Sequence, residues 1–328
     1  MSRTFQDIFQ IQDQSTFRAF ALEVFYYQAR HTAVYRNYLA TLGVKPSSVR
    51  KLEQIPFLPI EFFKSHEVIV DWKQAEVVFK SSGTSGTPPS FHHVPDASLY
   101  HKSFTTAFRQ FYSDPYTYCI LALLPAYLER SGSSLVHMME HLITGSGHPD
   151  SGFYLDNLDE LAAILQKRNE DRQPTLLMGV SFALLDLAEQ YPMALGEHIV
   201  VMETGGMKGR RKEMVRGELH ERLKTAFGLN AVHSEYGMTE LLSQAYSKGD
   251  GIFRCPPWMK ILARDPNDPL TLLPAGQNGG INVIDLANLN SCSFIATSDL
   301  GKVYEDGSFE VLGRFDHSDI RGCNLLIS

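Results

Sequence analysis

Hydrophobic positions near the N-terminus recur at the spacing of an α-helix. The repeat runs from about Ser15 to Tyr38 and predicts one or two amphipathic helices. The predicted inner face consists of Phe17, Phe20, Ala21, Val24, Phe25 and Gln28. A face so rich in aromatic residues could line a lipid groove, but packing in a protein core is the favoured interpretation.

Farther along, short apolar runs typical of buried strands alternate with polar loops and helical stretches. The strand-like runs are Val77–Lys80, Tyr118–Leu124, Thr175–Val180, His198–Met202 and Ala231–Ser234. Such runs, followed by loops and by helical patterns such as Phe182–Glu189, predict βα units and a mainly parallel sheet. Ligands of parallel sheets gather beyond the carboxyl ends of the strands, which directs attention to these loops.

Two other stretches complete the predicted fold. The segment Ile55–Ile60 contains two prolines, which donate no ladder hydrogen bonds, and is interpreted as a fixed connector. From Ile281 the pattern becomes strand and turn, and Asp306–Gly307 is a good hairpin turn. The predicted fold class is α/β, with mainly parallel sheets flanked by helices and a β-rich part at about 250–328. Length alone suggests about two domains.

Composition and charge argue against several classes of function. The chain has 328 residues, of which 44% are hydrophobic, enough for a large core. Its formal net charge of −7 and the lack of a long basic run disfavour nucleic-acid binding. No apolar stretch approaches about 18 residues, so no membrane span is predicted. The first residues, Met1 to Asp7, do not resemble a secretory signal.

The cysteines and paired histidines give little support for a metal site. The four cysteines are widely spaced and form no CxxC pair, which disfavours structural zinc and a disulfide framework. A reducing cytoplasm is the expected location. The adjacent His92 and His93 look exposed and have no third ligand nearby, so metal binding is disfavoured there as well.

The segment Lys80–Pro88 is the most informative loop. Its two glycines allow backbone N–H groups to approach an anion, and its hydroxyl side chains add donors for phosphate oxygens. It lacks the Gly-Lys-Ser/Thr ending of a Walker A loop. A flexible surface loop is the alternative interpretation, but the position directly after a strand-like run and before two prolines favours phosphate binding.

Together with three later motifs, this loop resembles the acyl-adenylate-forming superfamily of acyl-CoA synthetases, adenylation domains and luciferases. The four motifs occur in order at Ser81–Thr87, Tyr236–Glu240, Thr297–Asp299 and Gly313–Asp316. Each is weak alone, but together they are specific. Within the superfamily the chain is most similar to the acyl-protein synthetase (LuxE-type) branch, in the stretches Ile55–Phe63, Leu124–Leu135 and Arg321–Leu326.

The resemblance spans most of the chain and implies the fold of the large domain of these enzymes, as a single domain over residues 1–328. It also implies roles for individual residues. The phosphates of ATP would be held by Ser82, Gly83, Thr84, Ser85, Gly86 and Thr87. Glu240 would hold Mg²⁺, and Thr239 would donate to the α-phosphate. The adenine and ribose contacts are matched by Tyr236, Gly237, Asp299 and Arg314.

Three further segments allow two interpretations each. Gly205–Gly206 resembles the small-residue turn that lies against adenine, although a plain turn is equally compatible with the pattern. The basic residues that follow, Lys208, Arg210 and Arg211, could meet pyrophosphate or a partner surface, but a solvated turn is favoured. His137, within Leu135–Leu142, could line an acyl pocket or pack in an ordinary helix.

The chain departs from the superfamily pattern in two places. The phosphate loop continues as Pro88–Pro89–Ser90 and lacks the lysine that usually closes it. The sequence also stops shortly after Asp316, where larger members continue into a small mobile domain with a catalytic lysine. We therefore expect a CoA ligase that works by rotation of that domain to be disfavoured.

Cys323 is the candidate acyl acceptor. In the branch that this chain resembles, a cysteine near the C-terminus takes the acyl group from the adenylate as a thioester, and Cys323 occupies the matching Arg-Gly-Cys context. A thiolate is a strong nucleophile, and Arg321 could lower the pKa of the thiol. The alternative is a half-buried structural cysteine.

Three hypotheses for the function follow. The favoured one is an enzyme that converts a fatty or other carboxylic acid and ATP to acyl-AMP, transfers the acyl group to Cys323 and passes it to a partner such as a fatty-acid reductase. A CoA ligase that borrows a C-terminal domain from another chain is the second. A non-catalytic adenylate-binding subunit is the third.

Overall fold

The computed structural model describes residues 5–81, 88–125, 132–206, 211 and 214–314. These residues group into two compact units, divided between Ala75 and Glu76 and between Pro256 and Pro257. The helices are α1 Gln14–His31, α2 Ala33–Thr41, α3 Phe62–Ser65, α4 Ala97–Tyr112, α5 Ser134–Ser146, α6 Leu158–Glu170, α7 Ser181–Gln190 and α8 Arg216–Phe227. Short 3₁₀ helices span Phe5–Gln10, Pro46–Ser48, Leu52–Gln54 and Pro115–Thr117.

The strands alternate with these helices in the middle of the chain and follow one another near its end. They are β1 Leu58–Pro59, β2 Val77–Lys80, β3 Phe91–Val94, β4 Cys119–Leu123, β5 Gly152–Tyr154, β6 Thr175–Val180, β7 Ile199–Thr204, β8 His233–Tyr236, β9 Ala245–Ser247, β10 Ile252–Phe253, β11 Met259–Arg264, β12 Asn278–Asp285, β13 Phe294–Val303 and β14 Phe309–Arg314. The predicted mixed α/β fold class is thus confirmed. The prediction of a single domain with a β-rich part from about residue 250 stays a prediction.

In the first unit, α1 and α2 occupy the stretch for which helices were predicted. The first turn of α1 is capped by Asp13, whose carboxylate accepts a hydrogen bond from the backbone N–H of Thr16 at 2.8 Å. All six residues of the predicted inner face are buried. The face therefore packs in the core and does not line a groove.

The first unit also contains an antiparallel sheet in the order β11–β12–β13–β14. Strand β1 adds to it by pairing in parallel with β13 over two residues only, which agrees with the prediction of a connector between the prolines. The predicted hairpin turn joins β13 to β14: Gly307 has a φ of 81°, and Asp306 accepts a hydrogen bond from the backbone N–H of Ser308 at 3.0 Å.

The second unit is built on a sheet in the order β5–β4–β6–β7–β8–β9. The pairings among the first five of these strands are all parallel, and β9 adds to β8 in the antiparallel direction. Every residue of β4 and β6 is buried, as expected for strands covered on both faces. The predicted mainly parallel sheet is therefore confirmed.

Strand β2 differs from the prediction, which treated it as one of the strands of the βα units. It pairs with β3 in an antiparallel, two-stranded sheet of its own. The physical reason is the short chain between the two strands. Ten residues suffice for a hairpin connection, whereas parallel strands need a longer crossover, usually a helix.

Within the described part of the chain, no helix combines the length and the apolar character required to cross a lipid bilayer.

Candidate functional site

The loops that follow β6, β7 and β8 lie at one edge of the parallel sheet, because parallel strands present their carboxyl ends on the same side. Gly205 and Gly206 follow β7, and Gly205 has a φ of 72°, a conformation that favours glycine. The hydroxyl of Ser181, the first residue after β6, donates to the carbonyl oxygen of Gly205 at 3.2 Å. The Gly205–Gly206 turn is thereby anchored to the start of α7.

The loop that follows β8 carries the residues from Gly237 to Glu240. Its backbone is fixed from outside the sheet, because the Nδ1 atom of His92 on β3 lies 2.8 Å from the carbonyl oxygen of Thr239. A carbonyl oxygen only accepts, so Nδ1 is the donor. His92 is 0% exposed, and the prediction of an exposed histidine pair is wrong for this residue, because alternate side chains of β3 point inward.

The side chains of this loop are largely withdrawn from solvent. Glu240 is 5% exposed and places a carboxylate at the sheet edge, the ligand type that Mg²⁺ prefers. Tyr236 is 7% exposed, and its ring centroid lies 6.0 Å from that of Phe253. The structure brings Gly205, Gly206 and the Tyr236–Glu240 motif to the same edge, and their roles toward a nucleotide stay predictions.

The first acidic residue that the sequence analysis missed is Glu203, the penultimate residue of β7. It is 2% exposed and contacts two residues of α8: Arg216 through Nε at 3.0 Å and His220 through Nε2 at 3.5 Å. Burial opposes ionisation of this carboxyl, but hydrogen bonds from His220 and Ser234 and the charge of Arg216 outweigh it and lower its pKa. Glu203 is therefore an ionised, paired carboxylate.

The second missed residue is Glu235, which stands beside Thr204 in the register of β7 and β8. The hydroxyl of Thr204 donates to Glu235 Oε2 at 2.5 Å. Burial, aided by the negative charge of Glu203, raises the pKa of Glu235 to about 7 in spite of that hydrogen bond. The available sequence signal was an acidic residue at the end of an otherwise buried strand.

The six loop residues Ser82, Gly83, Thr84, Ser85, Gly86 and Thr87 lie outside the described residues, as does Cys323. The flanks of the loop are described. Ser81 and Ser90 exchange two hydrogen bonds, from Ser81 N to Ser90 O at 3.1 Å and from Ser90 N to Ser81 Oγ at 2.9 Å. The phosphate-binding prediction for this loop stays a prediction.

The basic turn after β7 is described only at Arg211, since Lys208 and Arg210 lie outside the described residues. Arg211 forms ion pairs with Asp186 and with Glu189, the latter at 2.7 Å. Both partners belong to α7. These ion pairs join Arg211 to α7, and the interpretation of the segment as a solvated turn stays a prediction.

In the first unit, two residues predicted from separate motifs lie on neighbouring strands. Asp299 on β13 stands opposite Arg314 on β14, and Arg314 Nε donates to Asp299 Oδ1 at 3.2 Å. The Asp299 side chain is 10% exposed and that of Arg314 is 72% exposed. The carboxylate of Asp299 and the guanidinium of Arg314 therefore lie side by side.

His137 is part of a cluster of three imidazoles between α4 and α5. Its Nε2 atom lies 2.8 Å from that of His101, whose ring stacks on His141 with centroids 4.2 Å apart. Burial and the neighbouring imidazoles lower the pKa of all three. These contacts are helix packing, and a role for His137 in an acyl pocket stays a prediction.

In the part of the chain that the structure describes, no group of three or more histidine, cysteine or acidic side chains is placed to hold a metal ion. A magnesium ion bound with a nucleotide does not require such a group, because one or two carboxylates together with phosphate oxygens and water complete its shell. The buried Glu240 fits this donor chemistry.

Several solved structures share this architecture. One is 2-hydroxyisobutyryl-CoA ligase in an open conformation with 2-HIB-AMP and CoA, at a TM-score of 0.65 and 14% identity over 92% of this chain and 70% of that chain. Another is ATP-bound MatB from Rhodopseudomonas palustris, at a TM-score of 0.53 and 19% identity over 75% and 49%. An ATP-bound RpMatB-BxBclM chimera matches at 0.54 and 21% over 72% and 47%.

No family model matches the chain, and no curated protein matches it. The chain spans about half the length of the MatB chains that it matches. At these low identities the likeness establishes the fold alone. The chain therefore shares the fold of these ligases, in agreement with the fold that the resemblance implied, whereas membership of the acyl-protein synthetase branch stays a prediction.

Proposed function

We propose that this protein uses ATP to activate a carboxylic acid as an acyl-adenylate. In this reaction a carboxylate oxygen attacks the α-phosphorus of ATP, a new P–O bond forms, and pyrophosphate leaves. The observation that carries the proposal is the shared sheet edge at which Gly205–Gly206 and Thr239–Glu240 meet. The fold shared with a ligase that binds an acyl-AMP supports it.

The proposed chemistry needs charge neutralisation more than it needs a strong base, because two anions must meet. We assign Glu240 to Mg²⁺, which would offset the phosphate charge, and Thr239 to the α-phosphate as a hydroxyl donor. The loop Ser82–Thr87 is proposed for the phosphates and Asp299, with Arg314, for the ribose. Tyr236 and the Gly205–Gly206 turn are proposed for the adenine.

The second half of the proposal concerns the acyl group. The thiolate of Cys323 attacks the carbonyl carbon of the acyl-adenylate, a thioester bond forms, and AMP leaves with the electron pair of the broken C–O bond. The thioester is then passed to a partner, for which a fatty-acid reductase is one candidate. A fatty acid is the proposed substrate. These steps rest on the Arg321–Gly322–Cys323 context in the sequence.

A second candidate is a CoA ligase that completes its site with a domain outside this chain. The observation that favours it is that 2-hydroxyisobutyryl-CoA ligase, which shares the fold, also has a structure with CoA in the thioesterification state. Formation of acyl-CoA by the purified protein, alone or with a separately supplied domain, would identify this activity. Acyl transfer to Cys323 without CoA would exclude it.

Exchange of labelled pyrophosphate into ATP tests the first half of the reaction. We expect exchange that depends on an added acid from a panel of graded chain length. Glu240→Gln should lower the exchange rate by about a hundredfold or more, since it removes the carboxylate assigned to magnesium.

Glu170→Gln is the matched control. Glu170 is exposed and ends α6 just before β6 begins, so it lies at the amino edge of the sheet, away from the strand ends that carry Glu240. Its exchange rate should equal that of the wild type. No exchange with any acid, combined with measurable ATP binding, would point instead to a non-catalytic adenylate-binding subunit.

A hydroxylamine-sensitive acyl label tests the second half. With labelled acid and ATP, the wild type should acquire the label, and Cys323→Ser should lose it while its pyrophosphate exchange stays unchanged. A label that survives this substitution would show that another residue is acylated.

A further inference from the structure

The turn at Gly237 is bordered by two polar side chains. A Cβ atom at this position would overlap Glu235 Oε1 and would lie 3.4 Å from Gln244 Cγ. Glu235 on β8 and Gln244, just before β9, therefore lie against the same small space that the missing side chain of Gly237 leaves open. Because β8 ends at Tyr236 and Thr239 lies two residues after Gly237, this contact is also where the loop of Thr239 and Glu240 departs from the sheet.

Gln244 has an unsatisfied hydrogen-bond acceptor beside this space. The residue is 3% exposed, and its amide oxygen is buried with no hydrogen-bond partner among the described residues. A buried acceptor without a donor is unfavourable and uncommon in folded proteins. A neighbouring group that can donate would remove this cost.

Glu235 has one oxygen committed and one facing Gly237. Its Oε2 accepts from Thr204 at 2.5 Å, and its Oε1 is the atom that a Cβ at Gly237 would overlap. An ionised carboxylate only accepts, so it would offer no donor to the amide oxygen of Gln244. A carboxylic acid, in contrast, can donate one hydrogen bond from Oε1.

The surroundings of Glu235 favour the acid form. Tyr246 on β9 stands opposite it and packs against Tyr112 of α4, and the ionised Glu203 on the other face of β7 adds a like charge. On α8, the cationic Arg216 and the imidazole of His220 contact Glu203. In the described part of the chain no cation pairs with Glu235, so its ionisation is opposed by burial and by a like charge, in agreement with its raised pKa.

We propose that Glu235 is a positioning residue whose carboxylic acid donates a hydrogen bond from Oε1 to the amide oxygen of Gln244, and so holds the Gly237 turn that carries Thr239 and Glu240. Release of this proton to solvent breaks the link and adds a negative charge beside the strand ends. Nucleotide affinity should therefore fall as the pH rises through neutrality. This consequence for nucleotide rests on the proposed function, whereas the link between the two side chains does not.

The binding test measures the dissociation constant of Mg·ATP by calorimetry from pH 6 to pH 8. If only the acid form binds well, wild-type affinity should fall by about tenfold over this range. Glu235→Gln carries a permanent donor and no titrating proton, so its affinity should vary by less than about twofold. An equal pH dependence in Glu235→Gln and in the wild type would overturn the proposal.

An infrared measurement tests the hydrogen bond between Glu235 and Gln244 even if the protein does not bind ATP. The difference spectrum between wild type and Glu235→Gln should contain a carboxylic-acid C=O band that titrates near pH 7. In Gln244→Leu, which removes the acceptor at similar volume, the titration should move down by about half a unit to one unit. Absence of the band at pH 6, or the same titration in Gln244→Leu, would overturn the proposal, and the control Glu170→Gln should titrate as the wild type does.

Discussion

Two buried glutamines, one in each unit, show how differently the two regions treat a polar side chain. Gln28 in the first unit is 0% exposed, and both ends of its amide have partners. The two hydrogens of Nε2 are shared among Asn288 O, Leu289 O and Ser293 Oγ, and Oε1 accepts from Ser293 N. Gln244 in the second unit is 3% exposed, and its amide oxygen has no partner among the described residues.

The difference separates a buried polar side chain that stabilises the fold from one that does not. The amide of Gln28 satisfies the backbone of the turn before β13, so it stabilises the unit that it belongs to. Gln244 lies beside Gly237 and Glu235, where a satisfied network would have been expected if stability alone mattered. An acceptor that depends for its donor on a carboxyl with a raised pKa is typical of a functional site.

Replacing each glutamine by leucine should produce the largest contrast. Gln28→Leu leaves the carbonyl oxygen of Leu289 and the N–H group of Ser293 without the partner seen in the structure, so we expect the free energy of unfolding to fall by about 3–5 kcal/mol. Gln244→Leu gives up no amide-oxygen bond seen in the structure and should cost about 1 kcal/mol or less. Urea-induced unfolding measures both changes. Equal losses in the free energy of unfolding would show that the two side chains contribute equally to stability.

The pH dependence of stability should sharpen the comparison by isolating Glu235. Its pKa rises from 4.5 in the unfolded chain to about 7 in the folded protein, so between these values the folded state binds one more proton. Stability from this group is therefore lost as the pH rises from 4.5 to 7, by about 3 kcal/mol in total, and is constant above that range.

Glu235→Gln removes this titration, so its free energy of unfolding relative to wild type should increase from pH 4.5 to 7 and then level off. Urea unfolding at a series of pH values measures the difference. A difference that is constant with pH would mean that Glu235 has an ordinary pKa in the folded protein.

Gly237→Ala should have the smallest effect on stability and a selective effect on the site. The added methyl group must displace Glu235 Oε1, the far end of a side chain, and the backbone at this position does not have a positive φ. We expect a loss of about 1 kcal/mol in stability and about tenfold in Mg·ATP affinity.

Gly217→Ala is the control for this substitution, because a Cβ at Gly217 in α8 meets no atom within 4 Å. It should match the wild type in ATP affinity and gain a little stability, as alanine favours a helix over glycine. Equal affinities for Gly237→Ala and the wild type would show that the turn tolerates a side chain.

Local sequence determined much of this protein. The helical repeat from Ser15 to Tyr38 and the apolar runs that became β4, β6, β7 and β8 were predictable, because side-chain periodicity and burial are properties of a single segment. The loops at Gly205–Gly206 and Tyr236–Glu240 were also predictable, since each directly follows such a run. Asp299 and Arg314 were found from motifs, not from any knowledge that their strands are neighbours.

Only the tertiary structure decided which of these segments meet. The pairing of Thr204 with Glu235, the hydrogen bond from His92 to Thr239 and the antiparallel partner of β2 all join residues from different segments. Strand order and register set these contacts, and no periodicity within one segment contains that information. The protonation state of Glu235 followed from the same cause, since the pKa of a carboxyl depends on the burial and the charges that other strands bring to it.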